Sequence, residues 1–158
     1  MPTPDISVCI CTFRRAAVRA TIESIAHQKI DPEVSFEIIV VDNDVTPSAR
    51  ADIEAVHAEY RHLDLTYVHA PARNISIARN ACLKTARGEW VAFIDDDEIA
   101  SEDWLQTHFS RVQREDLDIC FGPVLAVYPE NAAEWIREAD LQSTLVSARR
   151  PLITGHSG

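Results

Sequence analysis

Glycine is scarce: only four occur in 158 residues, and none forms a Gly-rich phosphate loop. A dinucleotide fingerprint and a Walker loop are therefore both absent. Long apolar runs are missing too. The longest, Trp90 to Ile94, holds five residues, against the ~20 needed to cross a bilayer. The opening Met1-Pro2-Thr3-Pro4-Asp5 has neither the basic nor the apolar region of a signal peptide. Basic charge is in deficit, with 15 Lys and Arg against 25 Asp and Glu, a net charge of −10. That balance speaks against general binding to a nucleic-acid backbone, which needs Lys and Arg to neutralise phosphates. These absences point to a soluble cytoplasmic chain with no transmembrane segment and no nucleic-acid partner.

The cysteines are few and do not read as a disulfide framework. Cys9, Cys11, Cys82 and Cys120 each lie inside an apolar strand or helix pattern. A chain that is 46% apolar can stabilise a core without staples. Cys9-x-Cys11 lacks the spacing of a zinc site, and the six histidines are scattered. Four buried free thiols are the expectation.

What is present is an alternation of strand and helix. Ile6 to Cys11 is apolar on both faces, as a strand buried on both sides should be. Helical spacing follows from Arg15 to Gln28, through Val18, Thr21, Ile22, Ile25 and Ala26. Phe36 to Val41 is a second strand ending at Asp42. Thr46-Pro47 predicts a helix start with Thr46 as N-cap, its apolar face carrying Ala49, Ile53, Val56, His57 and Tyr60. Leu65 to His69 reads as a third strand. A helix from Ile75 to Ala86 comes next, with Asn74 a candidate cap and Gly88 as C-cap. Trp90 to Ile94 is the fourth strand, and Ser101-Glu102-Asp103 opens a helix bearing Trp104, Leu105, His108, Phe109 and Val112 on one side. A fifth strand is expected over 118–127, broken by Gly122-Pro123, and a short helix over 131–139. Trp104, Phe109 and Trp135 read as core. The alternation predicts an α/β fold, a mainly parallel sheet with helices on both faces.

Ligands of such sheets bind beyond the carboxyl ends of the strands, where the strand order reverses. Thr12-Phe13-Arg14-Arg15 follows strand 1, Asp42-Asn43-Asp44 follows strand 2, and Asp95-Asp96-Asp97-Glu98 follows strand 4. If strand 1 lies between strands 2 and 4, the three sets share one edge. In an extended stretch Asp95 and Asp97 would point one way and Asp96 the other. Two hard oxygen donors on one side suit Mg²⁺ or Mn²⁺ shared with substrate phosphates. Glu98, Glu102 and Asp103 read instead as acids at a helix entrance. For Asp42 and Asp44 two readings stay open, recognition of a base or ribose and plain turn chemistry. A strand-end acid such as Asp42 is expected to carry no core packing. Arg14, Arg73 and Arg79 are candidates for charge-assisted phosphate contacts.

Four motifs in order carry a family resemblance. Ser7 to Arg14, then Ile39-Val40-Val41-Asp42-Asn43-Asp44, resembles the opening of family 2 glycosyltransferases. Ile75-Ser76-Ile77-Ala78-Arg79-Asn80 is similar to the family's "ARN" helix, and Ala86 to Asp97 to its DxD strand end. The resemblance covers about residues 6 to 128. It implies the GT-A fold, a metal-dependent, inverting transfer of a sugar from a nucleotide-diphospho-sugar (UDP-sugar favoured), and a role in polysaccharide biosynthesis. The acceptor would be a hydroxyl of a carbohydrate or lipid-linked molecule. By position, Thr12 and Arg14 would border the base or ribose, Asp42 would bond the base with Asp44 beside it, and Arg79 would lie along the nucleotide. Asp95 would meet the ribose with Asp96 next to it on the donor side, and Asp97 would ligate Mg²⁺ or Mn²⁺.

Two departures stand out. Asn74 and Cys82 occupy positions where the family often has glycine, although Asn tolerates left-handed backbone. The family's general base lies in a later segment, so the catalytic base is expected beyond Gly158. Residues 1–128 then form a donor-binding domain and 129–158 the start of an acceptor-side segment. A peripheral position at the inner face of the membrane agrees with the resemblance. The alternative is a non-catalytic nucleotide-sugar binding module lacking the acceptor half. A phospho-receiver domain is disfavoured, because Thr12-Phe13-Arg14 and His69-Ala70-Pro71 stand where its acids belong.

Overall fold

The computed structural model describes residues 3–140 and Ser143. Their elements are β1 (Ile6–Thr12), α1 (Val18–Ala26), β2 (Phe36–Asp42), α2 (Arg50–Glu59), β3 (Leu65–His69), α3 (Ile75–Thr85), β4 (Trp90–Asp95), α4 (Trp104–Glu115) and α5 (Glu134–Ala139). The four strands form one sheet in the order β3-β2-β1-β4, and every pairing is parallel. The expected α/β class holds, and β1 does lie between β2 and β4. Parallel register sets Thr12 opposite Asp42 and Cys11 opposite Asp95, so three strand ends stand level. Residues up to Thr107 form one compact unit, and those from His108 onward belong to a second.

The central strands are apolar on both sides because helices cover both. Cys9, Ile39 and Val41 face Ala78 and Cys82 of α3, with Cys11, Val68 and Ala81 around them. The alternate residues Val8, Ile10, Ile38 and Val40 point to the other face and are fully buried. α1 and α2 pack against each other, and α2 also reaches β3. Val18, Ile22 and Ile25 of α1, with Ile53 and Val56 of α2, are all buried, which is the predicted 3.6-residue pattern.

Two acids bracket β2. At its start, Glu37 is buried and accepts from Ser7 Oγ at 2.6 Å, from the Arg87 backbone N–H at 2.8 Å and from Arg87 Nε at 2.9 Å. Burial alone would raise the Glu37 carboxyl, but the Ser7 hydroxyl and the Arg87 N–H groups hold it below its ordinary value. Ser7 Oγ also accepts from the N–H of Gly88. Gly88 is needed for this close approach, since a Cβ there would lie 2.6 Å from Ser7 N and 2.7 Å from Ile6 C. Its expected C-cap role is not found: α3 ends with Ala86 as cap, and no described glycine has a positive φ.

At the other end of β2, Asp42 is fully buried. Its Oδ1 accepts from the Asp44 N–H at 3.0 Å, and its Oδ2 from the Ala49 N–H and the Tyr67 hydroxyl, both at 2.9 Å. The expectation that this acid carries no packing is therefore corrected. Asp42 ties β2, β3 and the start of α2 together. It also displaces the expected Thr46 N-cap: α2 begins at Arg50 behind Ala49, whose N–H is already bonded to Asp42.

In the second unit, the expected strand over 118–127 is not formed. Among the described residues this stretch has a single bridge position, Val124. Pro123 offers no N–H to a ladder, and Ile119, Phe121, Leu125 and Val127 are exposed. Gly122 sits against His108, where a Cβ would lie 2.7 Å from Nε2. α5 falls within the expected 131–139 helix, but Trp135 is exposed rather than core.

Two stability predictions follow from the bracketing acids. Glu37→Gln should flatten the acid limb of the pH–stability curve. The Glu37 contribution is complete above its unfolded-state value near 4.5 and is lost as pH falls through its lower folded value. Urea titrations between pH 3 and pH 7 would read this. Asp42→Ala should cost about 2–4 kcal/mol in the same assay, because it strands several buried donors at ~1–3 kcal/mol each. A loss under about 0.5 kcal/mol would show that Asp42 is only a turn residue.

Candidate functional site

The reversal of strand order falls between β1 and β4, the place where parallel sheets collect their ligands. A cavity of about 460 Å³ opens there, lined by Thr12, Arg15, Asn43, Arg73, Arg79 and the three acids Asp95, Asp96 and Asp97, among others. Cys11 also reaches it. The lining thus comes from the ends of β1, β2 and β4, and from Arg73 ahead of α3 and the first two turns of that helix.

The acidic stretch is not extended. The Glu98 N–H donates to the Asp95 carbonyl at 3.1 Å, and Asp96 and Asp97 occupy the turn so closed. Glu98 also accepts the Asp95 N–H on its Oε2, so it belongs to this turn and not to the helix entrance. The predicted split between the acids still appears. Asp95 and Asp97 side chains are 66% and 49% exposed, whereas that of Asp96 is 10% exposed. Asp96 accepts the Thr12 hydroxyl at 2.7 Å, which joins the ends of β1 and β4. Burial raises the Asp96 carboxyl above its ordinary value, against the opposing pull of the Thr12 hydroxyl and the Arg15 charge. Asp95 faces Arg79, with Nη2 and Oδ1 3.7 Å apart, and the Arg79 guanidinium lies 5.9 Å from the Phe93 ring centre.

The β2 turn separates its residues. Asp42 is taken up within the protein, and Asn43, not Asp42, lines the cavity. Asn43 Nδ2 donates to the Ala70 carbonyl at 2.8 Å, and its Oδ1 accepts the Asn74 N–H at 2.6 Å. Asn74 in turn caps α3 by accepting from the N–H groups of Ser76 and Ile77. Its backbone is extended. The left-handed conformation lies one residue earlier, at Arg73 with φ 46°. Asp44 is buried and bonded by Arg14 Nε at 2.8 Å. The Arg14 guanidinium, helped by the Val45 N–H and Ser48, holds the Asp44 carboxyl down to about 2. This pair lies away from the main cavity, beside a second hollow lined by Thr46, Ser48 and Asp52. The structure therefore brings together Thr12, Arg79, Asp95, Asp96 and Asp97, and sets Arg14, Asp42 and Asp44 outside that lining.

Two polar lining residues, Asn43 and Arg15, escaped the sequence reading. Asn43 was within reach of period-two counting, since Val41 shares a face with Cys11 and Asp95 and Asn43 lies two residues further. Arg15 had no such signal. Its separation from Arg14 depends on the left-handed Arg14 backbone, φ 56°.

The donor set limits how a metal could be held. Among the described residues, no group of three or more His, Cys, Asp or Glu side chains converges on one point. Two exposed carboxylates, Asp95 and Asp97, offer hard oxygen at the cavity. That fits Mg²⁺ or Mn²⁺ taken up with waters and substrate phosphates, the habit of ions that keep part of their hydration shell.

The chain is similar to known proteins in sequence and in fold. The chain is 40% identical over 156 residues to the succinoglycan biosynthesis protein ExoM of Rhizobium meliloti, covering 98% of this chain and 50% of that protein. It thus spans about half the length of that relative. Among solved structures, Staphylococcus aureus TarS residues 1–349 superpose with a TM-score of 0.61 at 26% identity, covering 71% of this chain and 33% of the other. The Pyrobaculum calidifontis mannosyltransferase PcManGT, solved with GDP-Man and Mn²⁺, gives 0.64 at 24% identity over 81% and 36%. No described helix is long and apolar enough to cross a membrane. With strand ends, acidic turn and capped third helix in the order the sequence motifs predict, and a profile match over residues 7–156, the chain belongs to glycosyl transferase family 2.

Proposed function

We propose that this chain supplies the donor site of a metal-dependent, inverting glycosyltransferase that moves a sugar from a nucleotide-diphospho-sugar to an acceptor hydroxyl. The observation that carries this reading is the cavity at the β1/β4 switch point, which joins an acidic turn to Arg73, just ahead of α3, and Arg79, in its second turn. TarS has been solved with UDP-GlcNAc and PcManGT with GDP-Man, so a pyrimidine or purine diphosphate is compatible with the fold. UDP-sugar remains the favoured donor, on the strength of the sequence motifs. The match to ExoM supports polysaccharide biosynthesis, with a carbohydrate or lipid-linked acceptor.

The residues divide the work by position. Thr12 and Asn43 border the cavity from the ends of β1 and β2 and suit the nucleoside. Asp95, half free at the end of β4, accepts ribose hydroxyls. Arg73 and Arg79 meet the diphosphate. Asp97 holds Mg²⁺ or Mn²⁺, which when bound neutralises charge on the departing diphosphate. Asp96 braces the turn through Thr12. Asp42, Asp44 and Arg14 shape the β2 turn behind the nucleoside instead of touching it. A diphosphate beside the acidic turn calls for positive charge, which Arg73, Arg79 and a bound divalent cation would supply together. Residues 1–128 form the donor domain in this reading, with the acceptor side beginning at 129. Glu130, Glu134, Glu138 and Asp140 are all exposed, and we assign the general base to none of them. The same donor pocket without turnover, a binding module, is the competing reading.

Calorimetric titration of UDP and GDP, with and without Mn²⁺, tests the site. Asp97→Asn should abolish the Mn²⁺-dependent part of binding. Asp96→Asn should be much milder toward the metal, because its carboxylate is turned to Thr12. Equal losses from the two variants would contradict the division of labour within the turn.

A further inference from the structure

The Asp97 seat is already taken by a charge from within the chain. Arg15 Nη1 bonds Asp97 Oδ2, and Arg15 Nε lies 3.6 Å from Asp96 Oδ1. The side chain is 54% exposed and lines the cavity. Arg14, its neighbour, is committed to Asp44 on the other side of the loop. Arg15 is thus the arginine of this loop that faces the acidic turn.

Adjacent carboxylates in one turn repel unless a counter-charge is supplied. Asp95 has Arg79 for that purpose, and Asp96 and Asp97 have Arg15. A divalent cation arriving at Asp97 meets the guanidinium on Oδ2, and the two positive charges compete for one carboxylate. Released from Asp97, a planar guanidinium is well shaped to grip phosphate oxygens two at a time. The anionic donor brings both the incoming cation and the new partner for the displaced arginine.

Resting on the donor-site reading above, we propose that Arg15 is the resident counter-cation of the acidic turn. It holds the Asp97 seat until a divalent cation arrives with a diphosphate, and then it moves to the phosphate oxygens. Metal binding without nucleotide is weak by construction, and the two ligands help each other in.

Titration of the 158-residue chain with Mn²⁺ alone, followed by the electron paramagnetic resonance of free Mn²⁺, tests the first half. Arg15→Gln should tighten Mn²⁺ binding about three- to fivefold, the worth of a partly exposed ion pair. Arg15→Lys should stay near the parent. Calorimetry with UDP or GDP at saturating Mn²⁺ tests the second half. There Arg15→Gln should weaken binding about tenfold, the scale of a lost hydrogen bond from a charged group. Arg15→Lys should recover only part of that loss, since an ammonium makes no fork. Far-UV circular dichroism confirms that the exposed loop changes leave the fold intact. Mn²⁺ affinity in Arg15→Gln equal to or below that of the parent, including no detectable binding by either, overturns the proposal. So does an unchanged nucleotide affinity. If the parent binds no nucleotide diphosphate with Mn²⁺ at all, it is the donor-site reading that falls.

Discussion

The buried carboxylate of Asp42 is the constraint on which the site depends. One side chain with no exposed surface accepts from the Asp44 N–H, the Ala49 N–H and the Tyr67 hydroxyl. Those bonds fix where β2 stops, where α2 starts and how β3 lies alongside. They also fix the path of the next residue, so that Asn43 reaches the cavity and holds Ala70 and Asn74 in place. Asn74 then caps α3, the helix that carries Arg79. A chain of hydrogen bonds thus runs from the end of β2 to the cap of the helix that carries the cavity-lining Arg79. Buried polar networks of this kind specify geometry because every member must be satisfied at once.

Charge is distributed by the same logic. The carboxylates at the strand ends are neither pooled nor left bare: Asp44 has Arg14, Asp95 has Arg79, and Asp96 and Asp97 share Arg15. The Asp44 pairing is structural, because that carboxylate is buried and also accepts the Val45 N–H of its own turn. The exposed ones, on Asp95 and Asp97, are cheap to exchange, because ion pairs open to solvent are worth little. An anionic ligand arriving with its own cation can replace both exposed pairs, while the Thr12 hydroxyl stays on the buried Asp96. Burial thus sorts the acids into fixed and exchangeable.

Much of this was legible in the sequence. The four strands and the helices between them follow from apolar periodicity, and the parallel sheet from their alternation. The acids at the strand ends were visible as abrupt stops after apolar runs, at Asp42 and Asp95. What was not legible depended on three-dimensional competition for hydrogen bonds. Thr46-Pro47 is a sound local start signal, yet α2 begins later because Asp42 already serves Ala49. Gly88 looks like a helix stop, but its hydrogen is required by the backbone of β1. The 118–127 run has strand composition without a ladder, interrupted by Pro123. Arg14 and Arg15 are indistinguishable on paper, and a left-handed residue sends them to opposite acids.

The central claim is that metal and nucleotide meet at the β1/β4 switch point, with Asp97 as the metal's protein ligand. Paramagnetic broadening of amide resonances by sub-stoichiometric Mn²⁺, in the presence of a nucleoside diphosphate, maps that point directly. The account predicts that broadening is strongest for the amides of residues 95–98 and falls off through Thr12 and Asn43. Broadening centred on the Arg14–Asp52 hollow, or none that depends on nucleotide, would contradict it.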